Sequence, residues 1–381
     1  MDFDLSEEQQ LLKNSAQRFV AERCAFADWQ RQRLAGRWPG EVLWPQFAQM
    51  GWLALGLSAA DGGFDAGPIE TGLLMEALGR GLVAEPYLQT AVLAVELLKR
   101  SPAGPTRSAR LAEIAAGRCR VALAHAEPGS RYALAQVDCQ ATRVADGWRL
   151  DGRKTVVRDG DTADALIVSA RSEAGITLFW LPAEVSGLAR HAYPLLDGHH
   201  GADITLQAVP LPDSARLCDE GAGLAPLQAA HACALAAMGA EAVGLMDLLL
   251  AQTITYTSAR RQFGQPLARF QALRHRLVDM FMQVEATRSL ALLATLRLAE
   301  CGAEFDAETA RALSAMKVQI GKAGRFVGQQ AVQLHGGMGM TDEIVVGHAL
   351  KRLMALDAEL GNADHHLQLF AAASRRLAAG D

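Results

Sequence analysis

Apolar residues recur at helical spacing along most of this chain, and the period changes to short runs only between about residues 119 and 212. Ser6-Glu-Glu supplies an N-cap and first-turn acids, and Leu11, Leu12, Ala16 and Phe19 then mark one helical face. Helices continue to about residue 120, punctuated by the turn-forming clusters Trp38-Pro-Gly40, Asp61-Gly-Gly63, Gly67-Pro68 and Ser101-Pro-Ala-Gly-Pro105. The runs Val121–Ala124, Trp148–Leu150, Ala165–Val168 and Ile176–Trp180 are short, bounded by Gly, Pro and Asp, and predict strands. Four long Ala/Leu-rich segments follow, at about 223–259, 267–301, 307–334 and 342–358, with a final one at about 363–378; such lengths suit an antiparallel bundle.

This order predicts an α+β protein of three domains: helical over residues 1–118, a β-barrel or sandwich over 119–212, and a C-terminal four-helix bundle over 213–381. A doubly wound sheet would show alternating βα units instead. Gly336-Gly-Met-Gly339 is accordingly no dinucleotide fingerprint, because no strand precedes it.

Composition narrows the chemistry. With 381 residues, half of them hydrophobic, the chain can bury a large core. A net charge of −5 gives no positive field for nucleic acid or an anionic membrane. The acidic opening Met1-Asp-Phe-Asp-Leu-Ser lacks the basic and apolar regions of a secretory signal, so the expected location is the cytoplasm. Six cysteines without Cys-x-x-Cys spacing read as reduced, buried small residues rather than a zinc site or a disulfide framework. The stretch Leu224–Leu250 is apolar, but His231, Glu241 and Asp247 interrupt it, so it reads as a buried helix and not a membrane insertion. Neighbours on a helix or strand point apart, which leaves His199-His200 and His365-His366 poor chelators; no metal site is expected. Trp29, Trp38, Trp44 and Trp52 read as core aromatics before they read as a pocket lining.

Two segments are more specific. Tyr256-Thr-Ser-Ala-Arg-Arg-Gln-Phe-Gly-Gln-Pro-Leu-Ala-Arg-Phe-Gln271 carries an Arg-x-x-Phe-Gly-x-Pro element followed by Phe-Gln, and Gln330-Ala-Val-Gln-Leu-His-Gly-Gly-Met-Gly-Met-Thr-Asp-Glu343 a Gln-x-x-Gly-Gly-x-Gly element. In this order they closely resemble signatures of the acyl-CoA dehydrogenase family, as does the opening Phe-x-Leu-Ser-Glu-Glu-Gln at residues 3–9. The resemblance spans the whole chain and implies an FAD-dependent oxidoreductase of fatty acid metabolism that desaturates an acyl-CoA thioester between Cα and Cβ. It further implies a dimer or tetramer with itself or with a homologous subunit, and it admits an electron-transfer flavoprotein as acceptor. By carry-over, Arg260, Phe263, Gln271, Gln333, Gly336 and Gly337 are the cofactor-binding candidates, on the FAD diphosphate and adenosine. Their chemistry suits the role: Arg260 offers a planar charged fork, Phe263 an apolar face, and the paired glycines a close backbone approach.

Elsewhere the chain departs from the family pattern. Ala126-Glu-Pro-Gly-Ser130 keeps part of a Thr-Glu-Pro-x-Ala-Gly-Ser pattern, and Gly152-Arg-Lys-Thr-Val-Val-Arg-Asp-Gly160 resembles the strand expected to carry the flavin ring. Val156 stands there in place of the aromatic and Arg158 in place of the flavin-contacting Thr. The family's two positions for the catalytic carboxylate fall, counting without gaps, on Leu360 and on about Ala234. The remaining candidate base is Glu241, in the apolar stretch Ala237–Leu245, where a carboxylate is costly unless paired or functional; the alternative to a base is a helix residue paired with an Arg or facing solvent. Glu359 is next to the vacant position but points elsewhere on a helix. The ending Leu360-Gly-Asn-Ala-Asp-His-His366 resembles most the small subunits of heteromeric members such as pimeloyl-CoA dehydrogenase. Two functions follow as expectations: a dehydrogenase subunit with its own base, or a noncatalytic accessory subunit that completes the FAD site of a homologous partner.

Overall fold

A computed structural model describes residues 4–36, 42–301 and 305–379; the Trp38-Pro-Gly40 turn and Phe3 of the opening pattern lie outside the described residues. Helix α1 (Glu7–Arg23) starts as the spacing predicts. Ser6 Oγ accepts the Gln9 N–H while the Gln9 side chain accepts the Ser6 N–H, which satisfies two donors at the helix start. Next come α2 (Phe26–Leu34), α3 (Trp44–Gln49), α4 (Pro68–Arg80), a wide π-helical stretch at Leu88–Ala94 that runs into α5 (Val95–Lys99), and α6 (Pro105–Ala115). Pro68 and Pro105 both open their helices, where the missing N–H has no intrahelical acceptor to lose.

Seven strands follow: β1 (Val121–Ala124), β2 (Gln140–Val144), β3 (Gly147–Arg158), β4 (Ala165–Ser172), β5 (Gly175–Pro182), β6 (Leu188–Pro194) and β7 (His200–Leu211). They form one sheet in the order β1-β4-β2-β3-β7-β6, with β5 antiparallel to β4. The C-terminal part holds α7 (Leu224–Ala259), a small hairpin of β8 (Arg261–Gln262) and β9 (Gln265–Pro266), α8 (Gln271–Glu300), α9 (Ala307–His335), α10 (Val345–Ala358) and α11 (Ala363–Ala379). Helix α8 starts four residues later than the period suggests, because Pro266 leads into a 3-10 turn at Leu267–Arg269 and Phe270 is extended.

The chain divides into two compact units. The first takes α1, α2, α4 and the chain from Leu235 onward; the second takes α3, α5, α6, the sheet and the chain up to Ala234. In the first unit α4 crosses α7 at backbone contact. A Cβ on Gly79 would lie 2.2 Å from the Glu241 carbonyl oxygen, and one on Gly244 2.0 Å from that of Glu76. No larger residue fits at either place, and the crossing fixes the turn of α7 that bears Glu241. Arg288 of α8 braces it, donating to Glu76 at 2.6 Å and to Asp247 at 2.6 Å. In the second unit the π-helical stretch covers the edge of β1: Thr90 Oγ1 accepts from Val121 N–H and donates to Val121 O, both at 3.0 Å. Trp44 and Trp52 are buried here, in agreement with a core role.

Candidate active site

The two signature segments meet at one end of the helical bundle. The rings of Tyr256, on the last turn of α7, and His335, the last residue of α9, stack at 4.4 Å and 27°. Arg260 follows one turn later, its N–H donating to Tyr256 O at 2.8 Å, and Gly336 follows His335 directly. The β8–β9 hairpin turns on Phe263 and Gly264, both with positive φ (53° and 79°). Such a turn favours Asn-Gly or Gly-Gly. A phenylalanine held in that conformation and 89 % exposed is a strained placement of an apolar ring at the surface. Gly336 has φ 60° and ψ −139°, a region essentially limited to glycine, and a Cβ on Gly336 or Gly337 would meet nothing of this chain. Arg260, Gln271, Gln333 and Gly337 are exposed as well. Between Asp247 and Asp279 there are five arginines and no carboxylate, so this end of an acidic protein is locally positive.

Glu241 is 6 % exposed, and both of its oxygens are taken. Arg352 of α10 donates from Nε to Oε1 at 2.6 Å and from Nη2 to Oε2 at 3.0 Å, with its own side chain 2 % exposed. A general base needs an oxygen within hydrogen-bond reach of a substrate proton. This pairing is the structural alternative that the apolar surroundings of Glu241 admitted. Glu359 approaches the same guanidinium, Oε2 to Nη1, at 3.4 Å.

Leu360 sits between α10 and α11 with φ 56°. The turn around it is held by buried donors: Lys317 Nζ donates to Leu356 O (2.8 Å), Asp357 O (2.9 Å) and Gly361 O, and His366 Nε2 lies 3.0 Å from Leu360 O. Gly361 is obligatory, since a Cβ there would fall 2.6 Å from His366 Nε2. Burial lowers the Lys317 ammonium to about 8, against the opposing pull of Asp357 and Glu359. Ala234, at the other position for a base, is fully buried in α7. Arg352, Lys317 and His366 carried no sequence signal of their own, because their partners are distant along the chain or are backbone carbonyls.

Burial also pushes the His366 imidazole down to about 4. The unfolded chain takes up this proton near the ordinary 6.5, the folded one only near 4. The stability tied to His366 is therefore complete above 6.5 and falls as pH drops toward 4, with a slope of about 1.4 kcal/mol per pH unit. Urea midpoints at about pH 7.5, above this window, and at about pH 5.5 and 4.5, within it, should fall more steeply for the wild type than for His366→Gln. Parallel curves would exclude this residue as an acid-sensitive element.

In the second unit Lys154 and Glu127 form a buried ion pair, Nζ to Oε1 at 2.6 Å, with the two side chains 0 % and 3 % exposed. Thr155 N–H donates to Ala126 O at 2.8 Å, so residues 126–130 lie against the end of β3. The paired histidines do part as expected: His199 meets Arg158 at 2.9 Å, and His200 Nδ1 lies 3.4 Å from Asp161.

The family model "Acyl-CoA dehydrogenase, N-terminal domain" matches residues 6–117, and "Acyl-CoA dehydrogenase, C-terminal domain" matches residues 222–374. The chain belongs to the acyl-CoA dehydrogenase family of oxidoreductases. Among curated proteins it is 27 % identical to the L-prolyl-[peptidyl-carrier protein] dehydrogenase of a Serratia species, over 93 % of each chain. Among solved structures, "PigA with FAD and proline" superimposes with a TM-score of 0.90 at 25 % identity over 100 % of both chains. A Tcur3481-Tcur3483 steroid ACAD variant superimposes with a TM-score of 0.86 at 27 % identity, over 98 % of this chain and 99 % of that one.

Proposed function

We propose that this chain is a subunit of an FAD-dependent dehydrogenase of acyl thioesters, in which it completes the cofactor site while a homologous partner supplies the catalytic base. The observation that carries this reading is the bidentate Glu241–Arg352 pair, taken with Leu360 at the family's base position. Desaturation needs a carboxylate to remove the α-proton while FAD, when bound, accepts the β-hydride. On this chain neither family position bears a carboxylate, and the remaining candidate has both oxygens committed. The FAD complex of the full-length structural relative supports the cofactor, and the paired name of the Tcur3481-Tcur3483 steroid relative supports a homologous partner.

At that site Arg260 would hold the diphosphate, Phe263 would cover apolar surface, and Gln271, Gln333, Gly336 and Gly337 would receive the adenosine and phosphate groups. All lie exposed around the Tyr256–His335 stack, in the positive field of the arginine-rich segment. Charge-assisted bonds to phosphate are worth about 1.5–3 kcal/mol, so Arg260→Ala in the assembled enzyme should weaken FAD retention by about 10- to 100-fold. Glu241→Gln should leave the turnover of the same assembly within about threefold, as expected for a group outside the transition state. Co-expression with a homologous subunit, followed by flavin content and turnover of each variant, tests both. A turnover collapse in Glu241→Gln with FAD retained would restore that residue as the base and remove this reading.

A further inference from the structure

The end of β3 faces a different fate from the nucleotide-binding end. Val156 has φ 49°, a β-branched residue in the left-handed region, and it sits at a bulge where the register of β3 on β7 shifts between Lys154 and Val157. Its N–H is shared between Tyr193 Oη (3.1 Å) and Asp203 Oδ1 (3.2 Å), and Asp203 also accepts from Tyr193 O–H (2.8 Å) and Arg153 (2.7 Å). The bulge thus presents residue 156 outward, 59 % exposed. Where the family pattern has an aromatic that can stack on a planar ring, this branched aliphatic side chain offers only a small apolar contact and no π face.

Two residues on, Arg158 is 8 % exposed and folds back into the unit. Its Nη2 lies 2.9 Å from the His199 ring, its Nε is 3.7 Å from Asp159, and the His199 N–H donates to Asp197 at 3.3 Å. Arg190 fixes the following loop by donating to Gly160 O at 3.0 Å and Ala163 O at 2.8 Å. A guanidinium committed to an imidazole thus stands at the position where the family pattern has a flavin-contacting Thr. The supporting frame is intact, because the Glu127–Lys154 pair still docks residues 126–130 on the strand. The frame persists while the contact surface is replaced.

We infer that this chain binds only the nucleotide half of FAD, and that Val156 and the Arg158–His199 pair exclude the isoalloxazine ring from its own β-sheet unit. The inference rests on the proposed role of Arg260 for its nucleotide half and stands apart from it for the ring half. It sets the stoichiometry: one FAD for each pair of this chain and a partner whose corresponding strand keeps an aromatic and a hydroxyl.

The test uses the full chain purified alone, titrated with ADP, FAD and riboflavin. ADP and FAD should bind with affinities within about threefold of each other, since the ring adds no contact, and Arg260→Ala should weaken both by about tenfold or more. Riboflavin should not bind, and the fluorescence of bound FAD should rise as its adenine is drawn off the ring. Quenched flavin fluorescence, a structured visible band or saturable riboflavin binding would overturn the inference. If ADP and FAD both fail to bind while riboflavin is also excluded, the nucleotide role falls and the ring exclusion stands. The double variant Val156→Trp with Arg158→Thr should gain riboflavin binding. If it folds, by circular dichroism, and still excludes riboflavin, these side chains are not the cause.

Discussion

Arg352→Leu should destabilise the first compact unit by about 3–5 kcal/mol, the cost of leaving a buried carboxylate without its counter-charge. Glu241 lies on a turn of α7 that is pinned against α4 at Gly79 and Gly244, so the helix cannot rotate to bring the stranded carboxylate to water. Glu359 would also lose its approach to the guanidinium. The double replacement Glu241→Leu with Arg352→Leu should recover most of the loss or exceed the wild type, because two apolar side chains remove both desolvation penalties at once. Urea unfolding of the three proteins measures the pattern. A loss below about 1 kcal/mol in the single variant would mean that the pair behaves as a surface ion pair despite its burial.

The long C-terminal helices were legible because their apolar period is sustained over many turns and broken by Pro266, Gly336 and Gly361. Helix starts were less so. Helix α10 begins at Val345 rather than near residue 342, since Asp342 is drawn instead toward Arg33, His348 and Lys351, cations whose approach no local pattern records. The nucleotide-binding segments could be found in the sequence because each is contiguous, and the Tyr256–His335 stack only joins what the motifs already marked. Glu241 was legible as an anomaly and not as a pair, since Arg352 is 111 residues away. The π-helical stretch at Leu88–Ala94 left no trace in the pattern: all seven residues are buried, and its polar members Gln89 and Thr90 serve the edge of β1 rather than solvent. Departures at Val156 and Arg158 could be seen in the chain; that one is turned outward at a bulge and the other inward onto His199 could not.

Lys154→Met should cost the second unit a similar amount, about 3–5 kcal/mol, yet here the companion replacement should fail to rescue. Lys154 is fully buried, and its ammonium donates to Glu127, to Ser169 Oγ at 3.0 Å and to His125 O at 3.2 Å. Glu127 has a second duty: its oxygens accept the backbone N–H of Asp138 at 2.6 Å and of Cys139 at 3.0 Å. Replacing both members by apolar residues removes the charges but leaves those two N–H groups without acceptors, at about 1–3 kcal/mol each where buried. The double variant Glu127→Met with Lys154→Met should thus remain several kcal/mol below wild type, in contrast to the Glu241–Arg352 pair. Since the same pair docks residues 126–130 on β3, hydrogen exchange of Asp138, Cys139 and Thr155 should accelerate in both variants, and unchanged exchange would show that the docking has another source.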